Sequence, residues 1–293
     1  MVVGIFVASR LLAPLRELNV AIEGMRDGKL HQRIKVRSRD EIGKLGETFN
    51  QMSDELARGQ EMRRQMTSDI AHDLRTPITV IAGYLEALRD GTFTPTEARF
   101  TAMYNETQAL QFLVTDLNTL SKADNGSLRM NLEDVAPSNL VMRVQQAFQP
   151  QTTSKHIVLT SIVEETLPLV PMDIERMAQV LGNLVSNALR YTPKDGTIHL
   201  SATREQNHLR LKVRDTGSGI ASDKLPFIFE RFFRADESRS QIGHESGLGL
   251  AIARSLVEAH GGSIKAESQV GKGTTFTIDL PLVATLSQPV YMN

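Results

Sequence analysis

The apolar residues change their spacing once along this chain, and that change narrows the folds open to it. From residue 11 to about 124 they recur at helical intervals; from about 130 they alternate. The first stretch reads as helices burying one stripe each, the second as half-buried strands with helices between them. Leu11, Leu15, Leu18, Ala21, Ile22 and Met25 form the first stripe, with Pro14 in a permitted first turn and Asp27-Gly28 as the stop. A short extended connector follows, in which Ile34 and Val36 alternate with charge. Asp40-Glu41 opens a second helix over 41–57, striped by Ile42, Leu45, Phe49, Met52 and Leu56, with Asp40 as its cap. A separate, longer helix over about 60–90 carries Met62, Met66, Ile70, Leu74, Ile78, Ile81, Leu85 and Leu88. Gly91-Thr92 ends it. Pro95 then begins a helix that runs through Met103, Leu110, Leu113, Leu117 and Leu120 to Asn125-Gly126.

Beyond 130, strands are expected at 157–160, 197–200, 209–213, 263–266 and 275–278, with helices at about 137–149, 173–190 and 248–260. That is a compact α/β sandwich. Of the 293 residues 41% are hydrophobic, which is ample for a core, and the chain has no cysteine, so disulfides, thiol catalysis and Cys-ligated metals are excluded. A net charge of −1 argues against nucleic-acid binding. The near-neutral total averages unlike modules: 12 Lys and Arg against 9 Asp and Glu in 1–64, then 5 against 8 in 65–129.

The chain opens on Val2-Val3-Gly4-Ile5-Phe6-Val7-Ala8, too short to cross a bilayer, which needs about 20 residues. It reads either as the end of a transmembrane helix over 1–9 or as an ordinary apolar N-terminus. Arg10 and Arg16 just beyond it suit the cytoplasmic side. The next two helices cannot bury their stripes alone, so a parallel dimer is expected. Pro14, the Asp27-Gly28 connector and Asp40-Glu41-Ile42-Gly43 resemble a HAMP signal-relay module over 10–61; a plain coiled-coil linker is the alternative. The helices over 62–128 read as an antiparallel hairpin that two copies would bury as a four-helix bundle.

In the first of those helices His72 lies about 200° around the helix from Ile70, on the solvent side. Asp73 can hold one ring N–H and leave the other nitrogen basic, and Pro77 is expected to bend or loosen the helix. His72-Asp73-Leu74-Arg75-Thr76-Pro77 resembles the H-box of sensor histidine kinases, with Asp where the family most often has Glu.

A second set of residues lies in the α/β part. Asn183 and Asn187 share a helix face, as hard oxygen ligands for Mg²⁺ or as a surface pair. Asp215-Thr216-Gly217-Ser218-Gly219 follows a strand, as an adenine-binding carboxylate with glycines or as a plain turn. Phe227 to Arg234 is an aromatic cluster, mostly core. Gly243 to Gly249 opens a helix whose free N–H groups suit an anion, and Gly271-Lys272-Gly273-Thr274 makes a late turn. In this order the segments resemble the N, G1, F, G2 and G3 boxes of the GHKL, or Bergerat, ATP-binding fold, over 129–284.

The resemblance implies a multidomain sensor histidine kinase with a parallel HAMP four-helix coiled coil, a dimeric four-helix hairpin bundle and an α/β sandwich. His72 would be the phosphoacceptor, with Asp73 and Thr76 beside it. Asn187 would be the Mg²⁺ ligand with Asn183 in support, Asp215 the adenine contact, and Tyr191 a stacking ring. Arg190 and Arg234 would meet the phosphates, with Gly217, Gly219, Gly247, Gly249 and Thr274 around the nucleotide. ATP and Mg²⁺ are the implied cofactors. A second copy, a response-regulator receiver domain and the cytoplasmic side of a bacterial membrane are the implied partners. Residues 235–246 would form a lid and 285–293 a tail. The other histidines show no ligand spacing. A GHKL-type ATPase and a phosphatase-only scaffold are the alternatives.

Overall fold

Residues 15–26 form helix α1 in the computed structural model, which describes residues 15–36, 40–234 and 246–282. Gly28 closes α1 at a φ of 84°, in the left-handed region that favours glycine. The connector after it is tied down by polar side chains. Asn50 accepts from the Ile34 N–H and donates to its carbonyl, at 2.9 and 3.0 Å. The Ser53 hydroxyl reaches the Leu30 and Gln32 carbonyls at 2.6 and 2.8 Å. Ala21, Phe49 and Ala57 are buried beside this lacing. Asp40 caps helix α2 through the Gly43 N–H, at 3.1 Å.

Helix α2 runs unbroken over Glu41–Arg89. The two helices expected at 41–57 and 60–90 are therefore one. The stretch between them holds only Gly59 as a breaker, worth about 1 kcal/mol, which flanking turns absorb. The helix also continues through Pro77. Leu45, Met52, Leu56, Met62, Ile78 and Leu85 of its stripe are 45–70% exposed in the single chain.

The protein forms two compact units that part between His72 and Asp73. In the second, α2 turns at 90–96 into α3, Glu97–Asp124. The turn is closed by Phe93, whose N–H donates to the Ala87 carbonyl at 2.9 Å and whose ring lies 6.0 Å from that of Tyr84. The guanidinium of Arg99 sits 4.2 Å over the Phe93 ring.

The α/β part follows as β1 Glu133–Val135, α4 Pro137–Ser154, β2 Val158–Val163, β3 Val170–Met172, α5 Ile174–Tyr191, β4 Thr197–Glu205 and β5 His208–Asp215. Then come a 3₁₀ turn Leu225–Phe227, α6 Gly249–Ala259, β6 Ser263–Gln269 and β7 Gly273–Pro281. The main sheet has the order β2-β4-β5-β7-β6, with β2 parallel to β4 and the rest antiparallel. Ile198, Leu200 and Ala202 of β4, Leu209, Leu211 and Val213 of β5, and Phe276, Ile278 and Leu280 of β7 point inward, at two-residue intervals. They meet the buried stripes of α4, α5 and α6. The small pair β1–β3 was not foreseen; three residues are too few to show a period. Leu113 and Leu120 of α3 join the same buried cluster, so the hairpin and the sandwich share one core within this unit.

Burial raises the Asp116 carboxyl on α3 to about 6. The folded chain then holds this proton more tightly than the unfolded one, so the contribution to stability is present below pH 4 and is lost as pH rises through 6. Asp116→Asn is expected to raise the melting temperature by a few degrees at pH 7 and to leave it unchanged at pH 4, read by circular dichroism.

The expected membrane-helix end over 1–9 and the tail over 285–293 lie outside the described residues, as do 235–245 of the expected lid. Among the described residues no helix is long and apolar enough to cross a membrane.

Candidate functional site

Strand β5 ends in Asp215, whose side chain is buried. Its Oδ1 accepts from the Gly217 N–H at 2.8 Å and the Thr274 N–H at 3.2 Å. Burial pushes this carboxyl above the ordinary aspartate range, and the two N–H donors pull it partly back. The carboxylate thus fastens the turn after β5 to the start of β7. Only glycine fits at two points of this contact. A Cβ on Gly219, at φ 71°, would lie 2.1 Å from the Gln269 carbonyl oxygen. One on Gly273, at φ 100°, would lie 2.0 Å from that of Asp215.

The turn is anchored on its other sides too. The Ser218 N–H donates to the Tyr191 carbonyl at the end of α5, and the Gly271 N–H to the Ser218 carbonyl, at 3.2 and 2.7 Å. The Ser268 hydroxyl accepts from the Ile220 N–H at 2.7 Å and contacts the Gly273 carbonyl and the Thr274 hydroxyl, each at 2.9 Å. Sequence reasoning missed Ser268. A serine in an alternating strand looks like any half-exposed strand residue, and only the strand pairing shows which backbone it serves.

Helix α5 supplies the asparagines. Asp173 caps it through the Arg176 N–H at 3.1 Å. Asn183 and Asn187 stand one turn apart on it, both half-buried. The Asn183 amide donates to the Gly249 carbonyl at 2.9 Å, so it ties α5 to the start of α6. The carboxamide of Asn187 has no hydrogen-bond partner among the described residues, and its hard oxygen suits a Mg²⁺ ion whose other ligands are phosphate and water. The Arg190 guanidinium lies 5.8 Å from the centre of the Tyr191 ring, which is partly exposed at the helix end.

Helix α6 begins at Gly249 with no side chain capping its first turn, which leaves N–H groups for an anion. Gly247 accepts the Phe232 N–H at 3.0 Å and stands at φ 65°, against the Phe232 backbone. Phe229 packs edge-on against Phe276 and Ile228 is buried, but the aromatic cluster lines the core rather than filling it: Phe229, Phe232 and Phe233 are partly buried against it, and Phe227 is exposed. Arg234 closes this segment against an acid. Its guanidinium lies 3.3 Å from the carboxylate of Asp73, and Arg231 pairs with Asp124. Both arginines of this segment therefore meet acids of the helical hairpin.

On α2, His72 is exposed, Asp73 follows it, and Thr76 stands one turn beyond His72, also exposed. Asp73 is mostly covered, at 14% side-chain exposure.

Three family models match the chain. Residues 172–284 match the histidine kinase-, DNA gyrase B- and HSP90-like ATPases, 62–126 the His Kinase A phospho-acceptor domain, and 6–58 the HAMP domain. The signal transduction histidine-protein kinase BaeS of Escherichia coli K12 is 36% identical over 283 residues, which cover 97% of this chain and 60% of BaeS. The chain thus spans about three fifths of that relative's length. The structure of the Acinetobacter baumannii histidine kinase AdeS is 33% identical with a TM-score of 0.62, over 72% of this chain and 98% of that one. Full-length ShkA, solved in complex with AMPPNP, is 25% identical with a TM-score of 0.58, over 75% of this chain and 46% of ShkA. A histidine on an exposed helix face, a carboxylate clamped by glycine turns and these likenesses agree: the chain belongs to the bacterial two-component sensor histidine kinases.

Proposed function

We propose that this protein phosphorylates itself on His72 from Mg-ATP and passes the phosphoryl group to an aspartate of a response regulator. The observation that carries this reading is the clamp around Asp215, a buried carboxylate held by two backbone N–H groups within glycine turns that allow a ring to approach. Asp215 would accept from the adenine amino group and Tyr191 would stack beside the base. Gly217, Gly219, Gly247, Gly249 and Thr274 would line the nucleotide, and Arg190 would meet a phosphate. Asn187 would hold Mg²⁺, which neutralises charge spreading over the transferred group. An imidazole nitrogen of His72 forms the new bond to the γ-phosphorus, the bond to the β-γ bridging oxygen breaks, and ADP leaves. Asp73 accepts the N–H of the other ring nitrogen and keeps the attacking one unprotonated. In the observed arrangement Asp73 faces Arg234, so Arg234 reaches the phosphates only after leaving that carboxylate. Labelling with [γ-³²P]ATP tests the reading: acid-labile, alkali-stable label is expected, and none appears if it is wrong.

ATP hydrolysis in the manner of related ATPases needs a carboxylate one turn before the Mg²⁺-binding asparagine. That position is Asn183, whose amide is spent on the Gly249 carbonyl and cannot take a proton from water. This favours transfer to histidine over a plain ATPase. A phosphatase activity toward the regulator is also proposed, from Thr76 and Asp73 flanking one exposed spot beside His72. Thr76→Ala is expected to slow regulator dephosphorylation about tenfold or more while autophosphorylation stays within about twofold. Equal dephosphorylation rates in the two proteins would remove Thr76 from that role.

The exposed stripe of α2, with Phe100 and Tyr104 of α3 exposed as well, supports a homodimer in which a second copy covers them. Modules at 10–61, 62–128 and 129–284 would then be the relay, the phosphoacceptor bundle and the ATP-binding domain. They would lie on the cytoplasmic side of a membrane, following a membrane helix.

A further inference from the structure

Helices α5 and α6 are antiparallel, and a polar bond to α5 holds each end of α6. Near the glycine turn, the Asn183 amide donates to the Gly249 carbonyl. At the far end, the Asp173 N–H donates to Nε2 of His260, the residue that closes α6, at 3.1 Å. The spacings agree. Asp173 to Asn183 is about 15 Å of helix, and Gly249 to His260 about 16 Å. Between the two bonds the contact is apolar: Met177, Val180, Ile252, Leu256 and Val257 are fully buried. Dispersion and apolar burial have little direction, so the polar bonds at the ends define how far one helix can slide along the other.

His260 can make its bond only as a neutral ring with the proton on Nδ1. That nitrogen donates to the Leu256 carbonyl at 2.7 Å, which leaves Nε2 as the acceptor. Burial lowers its pKa, which keeps the ring neutral near pH 7. Asp173 is itself a junction. Its Oδ2 accepts from the Asn131 N–H at 3.0 Å, on the segment that leads from the helical hairpin into the sandwich.

We propose that His260 is a positioning residue for phosphoryl transfer: it sets the axial register of α6 on α5, and so the height of the Gly247–Gly249 turn relative to Asn187. This rests on the nucleotide-site reading above. It assigns a function to a side chain some 16 Å of helix away from the turn it positions.

Three variants separate the acceptor from bulk packing. His260→Gln keeps an acceptor near the place of Nε2. His260→Asn keeps a donor toward the Leu256 carbonyl but is too short to accept from Asp173. His260→Ala removes both. The readouts are affinity for a fluorescent ATP analogue with Mg²⁺, KM and kcat of autophosphorylation, and amide exchange of residues 247–252 without nucleotide. The expected result is an ATP affinity about tenfold weaker and faster exchange at 247–252 in the Asn and Ala variants. The Gln variant should stay within about threefold of the parent, a ratio set by one retained hydrogen bond. If His260→Ala does not fold, the Asn and Gln variants carry the comparison. Equal behaviour of Asn and Gln, or loss of melting temperature with unchanged exchange and affinity, overturns the proposal. Absence of ATP binding in the parent protein overturns the nucleotide-site reading instead, and the exchange data still decide the register.

Discussion

Replacing His72 with glutamine removes acid-labile phosphorylation altogether, a loss of roughly a thousandfold or more against background, as when a nucleophile is deleted. Glutamine keeps the length and polarity of the side chain but has no lone pair basic enough to attack phosphorus. Its position predicts a clean result. His72 is exposed on a long helix, so the change should cost under about 0.5 kcal/mol of stability. Binding of an ATP analogue should be unchanged. Two of the other described histidines are already engaged: Nδ1 of His199 is 2.8 Å from the Thr160 hydroxyl on the sheet, and His260 is held by backbone on both nitrogens. Scintillation counting after acid and alkali treatment checks this. Label that persists in the variant would move the phosphoacceptor elsewhere.

Replacing Asp215 with alanine has the second large effect, and it differs in kind. Two backbone N–H groups, those of Gly217 and Thr274, lose their acceptor at a buried position. The nucleotide also loses its contact to the exocyclic amine. An unsatisfied buried donor costs about 1–3 kcal/mol. With the lost adenine contact, ATP should bind at least about a hundredfold more weakly, two factors of about 1.4 kcal/mol. Asp215→Asn separates the two roles. Its amide oxygen can still accept from both N–H groups, so melting should change little. Its NH₂ would face the adenine amine donor to donor, so affinity should still fall. Titration with a fluorescent ATP analogue, alongside thermal melting, checks both variants. ATP affinity within about twofold of the parent would show that Asp215 does not read the base, whereas a real contact is worth about tenfold or more.

Most of the architecture was legible because its signals are local. The five main strands announced themselves as alternation, and β4, β5 and β7 bury the residues that alternation names. The stops at Gly28, Gly91 and Gly126 all have positive φ, which the bare Asp-Gly, Gly-Thr and Asn-Gly pairs foretell. Errors arose where a local signal was weak or was outweighed. The stretches 41–57 and 60–90 read as separate helices, yet they form one helix of 49 residues that contains both Gly59 and Pro77, because each of these affects one turn while the rest stay bonded.

The site divides in the same way. The identities of His72, Asn187 and Asp215 and the order of the glycine turns are properties of the sequence, since each motif is contiguous and its chemistry follows from its own residues. The partners of these side chains are not. Asn183 finds the Gly249 carbonyl 66 residues away, and Arg234 finds Asp73 at a separation of 161. Ser268 joins two turns, and His260 joins two helix ends. The sequence by itself determined what each element is and which groups can do chemistry, because periodicity and turn preference act over a few residues. Only the tertiary structure decided which of those groups hold one another in place, because such pairs form between elements whose packing brings distant parts of the chain within hydrogen-bonding distance.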